Sequence, residues 1–113
     1  MSEDSEPEWS ACVSSLRRDE VPAASANAQL LEGARDRWEG QVVARRSMHD
    51  LFFTVPGKSY PFPTSVRVHW DDGVFEFQLR SHQSRLLVTA DRCTDSNSRA
   101  VLDSFLMQLV ESE

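Results

Sequence analysis

Lysine is almost missing from this chain of 113 residues: Lys58 stands alone against eleven arginines. Such a bias is what GC-rich coding produces and fits a bacterial source, though it carries no chemistry. Cysteine is scarce too. Cys12 and Cys93 lie far apart, with no His or Cys beside either. They cannot supply the four close ligands of a structural zinc site, and in a reducing compartment they read as free thiols acting as small apolar side chains. No run approaches the roughly 18 apolar residues of a membrane-spanning helix. The opening Met-Ser-Glu-Asp-Ser-Glu-Pro-Glu is acidic where a secretory signal needs a basic start and an apolar middle. A cytoplasmic protein without membrane contact is expected. Also absent are G-x-G-x-x-G, G-x-x-x-x-G-K-[ST], H-E-x-x-H and G-x-S-x-G, so no cofactor or metal is expected and no familiar catalytic centre is marked.

The net charge of −6 is uneven: Glu3, Asp4, Glu6 and Glu8 carry −4 of it. An acidic extension over residues 1–24, with a short helix and a linker, is expected ahead of a single α+β domain over 25–113. Phosphate backbones are bound by clustered Lys and Arg, so nucleic acid is not an expected partner.

Ser5-Glu6-Pro7-Glu8 has the form of a capping box, and Trp9, Cys12, Val13 and Leu16 then mark one face of a helix near 6–18. Residues 19–26, with Pro22, read as a linker. Leu30, Ala34, Trp38 and Val42 recur at helical spacing, predicting a helix that ends near Val43 before Arg45 would enter its apolar stripe. The tripeptide Trp38-Glu39-Gly40 matches the W-x-G turn of small secreted bacterial helix hairpins. Here, however, the Trp lies within a helical stripe and the C-terminal half is strand-patterned, so no membership of that group follows.

From Met48 the period changes to two. Leu51, Phe53 and Val55 alternate with Phe52 and Thr54 as a first strand. A loop holding Tyr60-Pro61-Phe62-Pro63 follows. Asp72-Gly73 is the signature of a two-residue type I′ hairpin turn. It predicts pairs of Trp70 with Phe75, Val68 with Phe77 and Val66 with Leu79 on the buried side. Arg67, His69, Glu76, Gln78 and Arg80 then share the polar side. A further strand would turn Leu86, Val88 and Ala90 inward. Asp95, Ser96, Asn97 and Ser98 offer caps for a last helix with Val101, Leu102, Phe105, Leu106, Leu109 and Val110 on its stripe. The expected fold is α+β: an antiparallel four-stranded meander with helices packed on one face, in the order α-α-β-β-β-β-α.

His69 and Glu76, facing across the hairpin, would form a hydrogen-bonded pair: a base and its orienting carboxylate, or an ordinary surface pair. Cys93 would be a nucleophile only if a His came near it. Asp91, Asp95 and Asn97 lack the glycine and glutamate of a calcium loop. Two surfaces point outward: the polar sheet face of Arg67, His69, Glu76, Gln78 and Arg80, and the aromatic loop residues Tyr60 and Phe62. The expected function is therefore a non-catalytic protein-binding module of the immunity or chaperone type, its acidic surface suited to a basic partner. The alternatives are a small enzyme or small-molecule binder with a cavity near Trp38, Trp70 and Phe75, and a homodimer through the last helix, in which Leu106 and Val110 would be exposed.

Overall fold

The computed structural model describes residues 8–57, 64–81 and 86–112. Three helices and five strands follow one another as α1 (Glu8–Arg18), α2 (Pro22–Trp38), β1 (Val43–Ser47), β2 (Asp50–Thr54), β3 (Thr64–Asp71), β4 (Val74–Ser81), β5 (Leu86–Cys93) and α3 (Asp95–Ser112). The strands form one antiparallel meander in the order β1-β2-β3-β4-β5. The class is α+β as expected, but the sheet has five strands rather than four.

The additional strand comes from the end of the expected second helix. That helix stops at Trp38: Glu39 is extended, and Gly40 at φ 93° takes a left-handed conformation that suits glycine. Val42 is buried, although from the turn and not from a helical stripe. Beyond it the chain pairs with β2, which puts Ala44 on the buried side opposite Phe53 and Arg45 on the other side opposite Phe52. The crowding of an apolar stripe by Arg45 is thereby avoided. At its start the same helix is longer than expected. Pro22 opens it, because the first turn needs no proline N–H, and the linker read over residues 19–26 shrinks to the few residues between α1 and α2.

The central hairpin has the expected register, with Trp70 opposite Phe75, Val68 opposite Phe77 and Val66 opposite Leu79. Asp72 (φ 53°) and Gly73 (φ 84°) both take the positive φ of a type I′ turn. β5 departs from the expected phase. An irregularity between Leu79 and Arg80 shifts its register, so Ala90 lies opposite Gln78 on the polar side and is exposed instead of pointing inward.

All three helices contribute to one core with Leu51, Phe53, Val66, Val68, Phe75, Phe77 and Leu79 of the sheet. Ring contacts of Trp9 with Phe53 (5.9 Å) and of Phe105 with Phe77 (5.7 Å) set α1 and α3 on the same sheet face. α1 is thus more than an appendage: Trp9, Cys12, Val13 and Leu16 are all buried, and the Trp9 indole donates to the Val42 carbonyl at 3.0 Å. Arg46, on the helix side of edge strand β1, donates to the Ser15 carbonyl (2.9 Å) and hydroxyl (2.6 Å) and pairs with Asp19. In α3, Leu102, Phe105, Leu106 and Leu109 are buried, while Met107 and Val110 are partly exposed. Leu106 is a core residue at 0% exposure, so it cannot belong to a dimer surface as the sequence reading had it. Trp38 packs within the core, whereas Phe75, though 2% exposed, forms part of the wall of a cavity of about 200 Å³ between α2, α3 and the sheet, beside Leu30, Gly33 and Arg99.

β1 and β2 join through Met48-His49, and Met48 sits at φ 57° while 82% exposed. A side chain in that region costs about 1–2 kcal/mol, and glycine's greater freedom in the unfolded chain offsets only part of the relief. Met48→Gly should therefore raise unfolding free energy by about 0.5–1 kcal/mol in denaturant titrations. A loss of stability would show that this turn is not strained as described.

Candidate functional site

Strand alternation and register lay the open sheet face out as cross-strand rows. One row runs Asp50, His69, Glu76, Arg92, and the next runs Arg45, Phe52, Arg67, Gln78, Ala90, with Arg80 beyond Gln78 on β4. The sequence-derived set Arg67, His69, Glu76, Gln78 and Arg80 is thus brought together. With Asp50 these residues line a shallow concavity of about 270 Å³. Tyr60 and Phe62 lie outside the described residues.

The organising group is Asp50, the first residue of β2. Its side chain is 10% exposed. One carboxylate oxygen accepts from Arg67 Nε (2.9 Å) and Nη2 (2.6 Å), and the other meets His69 Nδ1 at 2.7 Å. Burying a carboxylate is costly unless it is paired and hydrogen-bonded, and here three charge-assisted or polar contacts meet that requirement. The Arg67 guanidinium lies 5.7 Å from the Phe52 ring centroid, a cation–π contact that fixes its plane further. A carboxylate only accepts hydrogen bonds, so His69 donates through Nδ1 and keeps Nε2 for another contact.

The expected hydrogen bond between His69 and Glu76 does not form. The two are a register pair, but His69 turns to Asp50 while Glu76 approaches Arg92 Nε at 3.7 Å. The physical reason is competition: the nearly buried carboxylate offers the stronger acceptor, and Glu76 has an arginine on its other side. Arg80 Nε donates to Gln78 Oε1 at 3.0 Å, and among the described residues no carboxylate lies within ion-pair distance of Arg80.

Chemically, the Asp50–His69 pair orients an imidazole in the manner of a general base. No thiol completes it. Cys93 lies opposite Phe75 on the helix-covered face, whereas His69 is on the open face. Partial burial, with Asp91 and Asp95 nearby, also pushes the Cys93 thiol up, and burial pushes Cys12 up to about 11 against the opposing pull of Arg46. Both are poor nucleophiles near neutrality. Among the described residues no cluster of three or more His, Cys, Asp or Glu could hold a metal ion.

Two outcomes follow. Arg67→Ala should destabilise the fold by about 1–3 kcal/mol in urea unfolding, because it strips Asp50 of its charge partner; Arg80→Ala should cost under about 0.5 kcal/mol. Equal effects would contradict the central place of Asp50. Because a raised pKa means less thiolate at a given pH, Cys93 should react with an aromatic disulfide more slowly than free cysteine at pH 7 and speed up as pH rises. Cys12 should react only on unfolding, and prompt reaction of both at neutral pH would contradict the packing.

Comparison with protein-family models, with curated protein sequences and with solved structures finds no match to this chain.

Proposed function

We propose that this chain is a non-catalytic protein-binding module that covers a partner, in the general manner of an immunity or chaperone protein, and that the open sheet face makes the contact. One observation carries the reading. The helices cover one side of the sheet, while the other side keeps an ordered polar array whose members hold one another. Ordered donors and acceptors on a shallow surface suit protein recognition, which needs shape and matched charge more than enclosure. The analogy to immunity and chaperone proteins is one of class.

The Asp50–His69 contact at 2.7 Å favours a second reading, a small enzyme or small-molecule binder on the same face. It is the weaker one, because both thiols keep their protons on the far side of the sheet and the concavity beside His69 is open and shallow, where small ligands are usually enclosed.

A photo-crosslinking residue at Ala90, exposed beside Gln78, tests the preferred reading in the producing cells, with the same residue at exposed Asp36 on α2 as control. One discrete adduct from position 90, none from position 36, and its loss on adding Arg80→Glu is the expected result. Equal labelling from both positions, or none from position 90, would remove the sheet face as a docking surface.

A further inference from the structure

We infer that Arg67, Gln78 and Arg80 form a receptor for a carboxylate presented by an acidic segment of the partner protein, which rests on the docking role of this face. The argument begins with spare donors. Asp50 engages Arg67 through Nε and Nη2, so Nη1 keeps its hydrogens without an acceptor among the described residues. Gln78 uses its carbonyl oxygen to hold Arg80 through Nε. That bond leaves the Gln78 amide nitrogen and both terminal nitrogens of Arg80 without acceptors among the described residues. Each side chain is therefore anchored by one part of itself and unsatisfied in another.

Register brings these parts together. Arg67 lies directly opposite Gln78, and Arg80 follows Gln78 on the same side of β4. Side chains so placed are separated by roughly 5 Å across the strands and 7–8 Å on the diagonal, a span that one carboxylate bridges with its two oxygens. All three line the same concavity of about 270 Å³. The charge balance selects the sign of the guest. Asp50 offsets Arg67 and Glu76 leans on Arg92, which leaves Arg80 without a carboxylate partner among the described residues. An anion is drawn to Arg80 at this patch.

The same balance selects a carboxylate over a more highly charged group. Asp50 and Glu76 line the concavity too, and their charges oppose a dianion. A planar monoanion matches the guanidinium fork, which can donate two parallel hydrogen bonds to it. The array of ordered donors also lowers the entropy cost of binding, because Arg67 and Arg80 are already held.

The test uses the isotope-labelled full chain and a short flexible peptide rich in glutamate, followed by NMR shifts of the arginine and glutamine side-chain N–H groups. Saturable shifts of Arg67, Gln78 and Arg80 that weaken with added salt are expected, and the glutamine version of the peptide should produce none. Arg80→Gln should weaken binding roughly tenfold, equivalent to about 1.4 kcal/mol. Arg18→Gln, the same charge change on exposed α1, should leave it within about twofold. Tighter binding of inorganic phosphate at the same groups, shifts elsewhere, or undiminished affinity in Arg80→Gln would each overturn the assignment. So would shifts of these groups that depend on protein concentration without peptide, since a second copy would then be the occupant. If the adduct from position 90 persists while the acidic peptide fails to bind, docking stands and only the carboxylate receptor falls; if both fail, the docking face falls with it.

Discussion

The pairing of Trp70 with Phe75, Val68 with Phe77 and Val66 with Leu79 holds six side chains on one side of the β3–β4 ladder, and the remainder of the molecule is arranged around that fact. A slip of one residue would carry Arg67 and His69 of β3 under the helices or push Phe75 and Phe77 of β4 into water, because strand side chains alternate strictly between faces. The turn at Asp72-Gly73 forbids the slip, since both central residues need positive φ and both take it. With one face fixed as apolar, Trp9 of α1 and Phe105 of α3 find aromatic partners in Phe53 and Phe77. The opposite face is then left to polar side chains, and its chemistry follows from the same ladder.

Arginine serves both faces, in different ways. Arg46 works on the covered side at the sheet edge, donating to the Ser15 carbonyl and pairing with Asp19, so it ties the end of α1 to β1. On the same side Asp103 of α3 accepts from Trp38 at 2.7 Å and from Arg37 at 3.2 Å, which joins α2 to α3. Arg67 works on the open side, where it allows Asp50 to be almost fully enclosed. A planar group with five donors can hold a carboxylate and still have hydrogens to spare; a lysine in its place would offer a point charge without the fork. The arginine-rich composition thus has a structural use at each site, whatever its coding origin.

The hairpin and its two faces were legible because local turn chemistry and the apolar pattern agree, and each alone would have been ambiguous. The β1–β2 hairpin was not legible for the opposite reason. Met48-His49 contains none of the residues that usually take positive φ, yet Met48 takes it, so nothing local marks the chain reversal, and Val42 and Val43 read as the tail of a helix. The register shift near Leu79 is hidden in the same way, because no glycine marks it, and strict alternation from Leu86 therefore points Ala90 to the wrong face. Asp50 is the instructive case. Its partnership with His69 depends on how β2 aligns with β3, and the long connection between Thr54 and Thr64 leaves that alignment to the packing of the apolar side chains. The polar set Arg67, His69, Glu76, Gln78 and Arg80 could be read from one hairpin; the carboxylate that organises it comes from another.

That division bears on what the face is for. A histidine oriented by an enclosed carboxylate becomes a catalyst only when a reacting group and a closed space stand beside it. Here the contact between Asp50 and His69 sits on an open surface, with Cys93 across the sheet on the covered side. What the carboxylate does accomplish is to remove conformational freedom from Arg67 and His69 before any guest arrives. Long side chains ordinarily lose about 0.5–1.5 kcal/mol each when an interface immobilises them, and that cost has here been met during folding. On the reading proposed above, the arrangement suits recognition at a surface: Asp50 draws on folding energy to keep its neighbours in place, and the hydrogens that have no acceptor among the described residues are left for a partner.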